Sequence, residues 1–72
     1  MKKATTQQFN LQDQKLNEAR KAGQVITITL MDGTKFAGLV SAFDLFTIAF
    51  ITPNPEMDLM IYKHAVSFIK FN

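Results

Sequence analysis

The stretch Val25-Ile26-Thr27-Ile28-Thr29-Leu30-Met31-Asp32-Gly33-Thr34-Lys35-Phe36-Ala37-Gly38 decides the fold class. Its apolar residues recur at every second position and β-branched side chains dominate, the pattern of a half-buried strand. Ile26, Ile28 and Leu30 share one face, and Thr27, Thr29 and Met31 share the other. Asp32-Gly33 then breaks the run as a hairpin turn, because both residues tolerate positive φ. Taken as a two-residue turn, it sets Met31 opposite Thr34, Leu30 opposite Lys35, Thr29 opposite Phe36 and Ile28 opposite Ala37. Gly38, inside the second strand, permits a sharp bend or a close crossing.

Towards the C-terminus the second strand is expected to run to about Ala42, with Phe43-Asp44-Leu45 as a tight connection. A third strand is expected over Phe46 to Thr52, closed by Pro53-Asn54-Pro55, since neither proline can donate to a ladder. Residues 52–58 read as a loop. Alternation then returns, with Leu59, Ile61, Lys63 and Ala65 against Met60, Tyr62, His64 and Val66, and Ser67 to Phe71 forms a last short strand. Towards the N-terminus, Asn10 is placed to cap a helix over residues 11–22, with Asp13 at the acidic capping-box position. Its narrow apolar side rests on Leu16 and Ala19, and Gly23 supplies the stop behind Arg20 and Lys21. Residues 1–9 read as a flexible arm and 10–72 as a single domain. The fold class is mostly β: an N-terminal α-helix, then a strongly bent five-stranded antiparallel sheet curled into a small open barrel.

A chain of 72 residues buries only about 60% of its unfolded surface, so it is marginal alone. Yet 47% of it is apolar, with seven Phe, more than one small core absorbs. Burial between subunits accounts for the excess better than a large exposed patch does. The last strands are apolar and short of charge, the reverse of normal edge protection, which favours strand-to-strand pairing between copies. The net charge of +2, from eight basic and six acidic residues, proves nothing about nucleic acid by itself. Repeated around a ring it becomes a concentrated field. Cysteine is absent, which removes disulfides and cysteine-based zinc sites. The run from Leu39 to Ile51 is interrupted by Ser41, Asp44 and Thr47, so no membrane span is expected. Polar residues Thr5-Thr6-Gln7-Gln8 stand where an apolar export signal would lie, and the cytoplasm is the expected location.

Asn10-Leu11-Gln12-Asp13, followed by Leu16-Asn17, resembles the opening of the Hfq family, bacterial RNA chaperones of the Sm-like superfamily. Asp32-Gly33, Gly38 and Phe43-Asp44 are similar to the first Sm signature, and Tyr62-Lys63-His64-Ala65 reproduces the tetrapeptide that separates this family from other Sm-like proteins. The likeness spans roughly residues 10–70. It implies a homohexameric ring closed by pairing of the fourth strand of one subunit with the fifth of the next. It also implies partners in single-stranded RNA, small regulatory RNA and mRNA, whose pairing in post-transcriptional regulation and stress response the family promotes.

The resemblance further implies a proximal pore for U-rich RNA and 3′ ends built from Gln12, Leu45, Phe46, Lys63 and His64. Phe46 would offer a π-face to a base, Gln12 a base-edge donor and acceptor, Lys63 a charge, and His64 a donor to a hydroxyl or phosphate. A basic rim would use Arg20 and Lys21, and a distal A-rich site would use Thr29, Gly33, Thr34 and Phe36. The pattern departs at named positions. Leu45 stands where family members carry Gln or Asn, Thr29 replaces an aromatic, Thr34 an apolar residue and Ala37 a Gln. One lost stacking surface is worth about 1–3 kcal/mol per base. Ala22 and Gly23 thin the rim, and the 52–58 loop is longer than typical.

On charge pattern alone Lys63 and His64 read as a solvated cation and a satisfied histidine, and Phe46 as core; the surrounding signature moves them towards RNA. Asp44 reads as a turn-holder through bonds to nearby amides. No nucleophile stands beside a histidine base in any recognisable motif, so the chain reads as no enzyme, and no cofactor or metal is expected. Two alternatives remain: a divergent ring acting mainly through protein–protein contacts, and a monomeric barrel binding single strands unselectively.

Overall fold

The structure, a computed structural model, describes residues 11–53 and 55–72. The arm expected over 1–9 and the cap expected at Asn10 lie outside these residues. Helix α1 spans Leu11–Ala22, with Asp13 in its first turn and Arg20 and Lys21 in its last. Strands follow as β1 (Ile26–Leu30), β2 (Lys35–Phe43), β3 (Thr47–Pro53), β4 (Glu56–Tyr62) and β5 (Val66–Phe71). They form one antiparallel sheet in the order β4-β3-β2-β1-β5, so β4 and β5 are its two edges.

The helix ends where the sequence places its stop. Gly23, at φ 63°, donates to the Arg20 carbonyl (3.3 Å) and Gln24 donates to the Ala19 carbonyl (2.9 Å), the paired bonds of a Schellman ending. Leu16 and Ala19 are fully buried against the sheet, where they join Ile26, Ile28, Val40, Ile48, Phe50 and Ile61 in the core. Each buried Leu, Ile, Val or Phe side chain contributes roughly 1.5–3 kcal/mol, and without that footing a helix of this length would not persist in water.

The first hairpin differs from its expected register by one residue. Ile28 pairs with Phe36 and Thr29 with Lys35, so the loop holds three residues, Met31-Asp32-Gly33. Gly33 donates to the Leu30 carbonyl (2.9 Å) and Leu30 to the Thr34 carbonyl (2.8 Å). Gly33 sits at φ 93°, which makes this a tight turn followed by a glycine bulge. Asp32 stabilises it, its Oδ1 accepting from the Thr34 amide at 2.9 Å. The slip has a core reason: it sets Phe36 on the same face as Ile28 and against the core, whereas the expected register would have turned it to the Thr29 side.

Strand β2 runs one residue past Ala42, with an irregularity between Val40 and Ala42. Gly38 marks the close crossing: a Cβ there would lie 2.2 Å from the Ile51 carbonyl oxygen. Strand β3 begins at Thr47, leaving Phe46 in the turn. The loop expected over 52–58 is mostly strand. Pairing continues through Thr52 with Met57 to Pro53 with Glu56, because each proline falls at the hairpin end, where a missing donor breaks no ladder bond. Lys63 and His64 do not lie on a strand; Lys63–Ala65 forms a single 3-10 turn between β4 and β5.

Candidate nucleic-acid interface

That 3-10 turn is pinned at both ends by the loops beside it. The Lys63 amide donates to the Phe46 carbonyl (2.8 Å), and the Ala65 carbonyl accepts from the Met31 amide (2.8 Å). The turn therefore bridges the β2–β3 and β1–β2 connections, and residues distant in sequence meet at one end of the sheet.

The β2–β3 turn is organised by Asp44. Its Oδ1 accepts from the amides of Phe46 (2.9 Å) and Thr47 (2.8 Å) and from the Thr47 hydroxyl (2.8 Å), while its own amide donates to the Thr47 carbonyl (2.9 Å). These bonds, the Phe46 amide first, hold the Asp44 carboxyl below the usual range, with the charge of Lys63 adding a smaller pull. This is the turn-holding role read from sequence. Held this way, the turn presents Leu45 and Phe46 to solvent at 69% and 70% exposure. Phe46 is thus an outward aromatic face, not core.

Lys63 is not the solvated cation its charge alone suggested. Its side chain is 11% exposed, and its Nζ lies 2.5 Å from Asp13 Oδ1 and 5.5 Å from the centroid of the Phe43 ring, close enough for a cation–π contact. Asp13, read from sequence as a helix-cap residue, and Phe43, read as part of a connection, are the site residues that sequence reasoning missed. No local signal could find the ion pair, since it joins residues fifty positions apart. His64 is exposed, its ring 5.9 Å from that of Tyr62.

The remaining expected residues are placed apart. Gln12, half-buried one residue before Asp13, lines a hollow of about 390 Å³ between α1 and β5, with Leu11, Lys15 and Phe68 among its walls. Arg20 and Lys21 are exposed at the end of α1, where Arg20 donates to Asn17 Oδ1 at 2.7 Å. Of the distal set, Gly33 and Thr34 are exposed at the hairpin tip and Phe36 packs partly into the core. Thr29 is 6% exposed, and its hydroxyl is the one buried side-chain polar atom without a hydrogen bond among the described residues. It offers no surface on which a base could stack.

Among the described residues, no group of three His, Asp or Glu is placed to hold a metal ion, and no helix is long and apolar enough to cross a membrane. The chemistry on offer is recognition: an exposed aromatic face, an exposed imidazole and a lysine shared with a carboxylate.

The family described as "Hfq protein" matches residues 11–72. Curated relatives called RNA-binding protein Hfq include one from Desulforamulus reducens, 45% identical over 65 residues, which takes in 90% of this chain and 79% of the relative. One from Pelotomaculum thermopropionicum is 44% identical, over 88% of this chain and 74% of its own. One from Bacillus thuringiensis is 41% identical, over 85% and 80%. A solved structure described as the pleiotropic translational regulator Hfq superposes with a TM-score of 0.78 at 23% identity, over 85% of this chain and 98% of the other. It shares the helix followed by a bent open sheet.

Proposed function

Because the chain belongs to the Hfq family of RNA-binding proteins, we propose that it is the subunit of a homohexameric ring that binds U-rich single-stranded RNA and 3′ ends. In this reading it promotes pairing of small regulatory RNA with mRNA and binds rather than catalyses. The observation that carries it is the exposed Phe46 beside a 3-10 turn bearing Lys63 and His64. A base stacked on Phe46 would leave its phosphate or hydroxyl near Lys63 and His64, and repetition around a pore would multiply weak contacts. Gln12 adds a base-edge donor and acceptor from the helix, and Arg20 and Lys21 a basic rim. The distal A-rich site is the weaker part, since Thr29 is buried.

A second reading, a divergent ring acting mainly through protein partners, is favoured by one observation: Leu45, where a polar pocket residue is expected, is an exposed apolar side chain. Anisotropy titration separates the two. A short U-rich RNA with a free 3′-hydroxyl, run beside an A-rich RNA at two salt concentrations, is expected to bind tightly. Its log-log salt slope should be about 0.7 per phosphate neutralised, and Lys63→Ala should weaken it more than tenfold. Unselective weak binding of both RNAs, or an unaltered Lys63→Ala protein, would turn the case to the protein-binding ring.

A further inference from the structure

Charge is unevenly distributed along the chain. All eight lysines and arginines fall in residues 2–35 and 63–70, together with three of the six carboxylates, whereas residues 36–62 hold Asp44, Glu56 and Asp58 and no cation. That middle stretch supplies nearly all of β2, β3 and β4, so one leaf of the sheet carries −3 and the rest of the chain +5. The register shows where its side chains point. Ile51 pairs with Asp58, Ala49 with Met60 and Pro53 with Glu56, while the alternate residues Ile48, Phe50 and Thr52 are buried. Glu56, Asp58 and Met60 therefore stand on the outward face with Ala49 and Ile51. Leu39 and Ala42 join them from β2, opposite Ile51 and Ala49. Asp44 is taken up by its own turn. Glu56 and Asp58 are exposed, and among the described residues neither is ion-paired. Small side chains leave this face dished. A hollow of about 300 Å³ lies over Ser41, Ala49, Ile51 and Met60, with Asp58 on its wall. It adjoins another of about 310 Å³ that shares Ala49 and Met60.

We infer that the outward face of β2, β3 and β4 is the docking site of a basic protein segment. The segment sets its lysines or arginines against Glu56 and Asp58 and seats one bulky apolar side chain in the hollow over Ala49. This goes beyond RNA binding and does not rest on it. Charge complementarity selects the occupant. A phosphate backbone is repelled from a leaf with three carboxylates and no cation, whereas a cationic chain is drawn to it. The hollow adds what charge alone lacks. Its floor is apolar, and Met60 on its wall is flexible enough to adapt to side chains of differing shape. An apolar centre within a charged margin is the arrangement of protein–protein interfaces. None of the groups proposed to hold RNA lines this hollow, so the partner would leave them free. Contact between copies through the backbone of an edge strand would likewise leave the face of the sheet open.

Anisotropy of fluorescein-labelled peptides on the full chain tests it. The probe is a short peptide of lysines and arginines with one central leucine. Beside it run the same peptide with a central alanine and one with glutamates in place of its cations. The leucine peptide is expected to bind, more weakly as salt rises. The alanine peptide should bind several-fold more weakly, and the glutamate peptide not at all. Glu56→Gln/Asp58→Asn should weaken the leucine peptide about fivefold or more, and Glu18→Gln, at an exposed carboxylate on α1, should leave it unchanged. Ala49→Leu, which fills the hollow, should bring the leucine peptide down to the level of the alanine peptide. Equal binding of those two peptides by the unaltered chain, or an equal loss with Glu18→Gln, would overturn the docking site while leaving the RNA reading untouched. Failure to bind the leucine peptide would overturn it too; a smaller light-scattering mass for Glu56→Gln/Asp58→Asn than for the unaltered chain would then assign the face to a second copy.

Discussion

The ammonium of Lys63 is held by Asp13 and lies beside Phe43, while its backbone amide is tied to Phe46. In the proposed RNA-binding reading, an incoming phosphate or base oxygen would compete with a carboxylate at 2.5 Å, at a side chain shielded enough from water for that pairing to count. Asp13→Asn is accordingly expected to tighten U-rich RNA several-fold in the same titration, and to add nothing in a Lys63→Ala background. A gain that survives loss of Lys63 would mean Asp13 acts on RNA directly. At this scale the sequence was half legible. Lys63 and His64 stand in a local tetrapeptide and Phe46 was singled out only through the family resemblance, but the carboxylate that pairs with Lys63 comes from the helix, and no periodicity links the two. The burial of Thr29 was equally hidden, because alternation put it on the outward face and nothing in the local pattern shows that it is buried in the folded chain.

The β2–β3 turn shows how an element is built around one carboxylate. The three bonds that Asp44 accepts favour its ionised form, and its folded value lies below the ordinary 3.8. Its contribution is therefore complete above about pH 4 and is lost as pH falls through the lower folded value. Asp44→Asn is expected to melt below the unaltered chain at pH 7, with the gap closing in acid; a gap that stays constant with pH would exclude the carboxylate as its source. Asp32 is depressed likewise, chiefly by the Thr34 amide and then the Thr34 hydroxyl, so some acid sensitivity should survive in that variant. The elements themselves were largely legible: helix and stop, five strands, and the glycine at the crossing. The misplacements have one cause. Asp-Gly serves both two- and three-residue loops, and Tyr62-Lys63-His64-Ala65 alternates like a strand, so the packing of Phe36, the bond from Lys63 to the Phe46 carbonyl and the bond from Met31 to the Ala65 carbonyl decided what local pattern left open.

At the scale of the whole molecule, the core is one small cluster and exposed Met60, Tyr62 and Phe68 lie along the edges. Folding and assembly should be coupled, since whatever binds only the folded chain stabilises it by mass action. The melting temperature is expected to rise with protein concentration, and a midpoint independent of concentration in differential scanning calorimetry would argue against subunit contacts as a source of stability. The apolar excess and the poorly protected last strands were legible in the sequence, but alternation alone did not show β5 returning to pair with β1 rather than with β4, which leaves those two strands at opposite edges of the sheet.

That return has a consequence for growth. The two free edges are different strands, so any union of β4 with β5 is head-to-tail, and a pair of subunits still displays one unused edge of each kind. No dimer can satisfy itself. In the proposed ring, every arc short of closure would be as adhesive as the lone chain, and an open arc that missed its own tail would go on to a filament. A cell making too few subunits would accumulate sticky fragments rather than small stable assemblies, and only the closing contact quenches both ends at once.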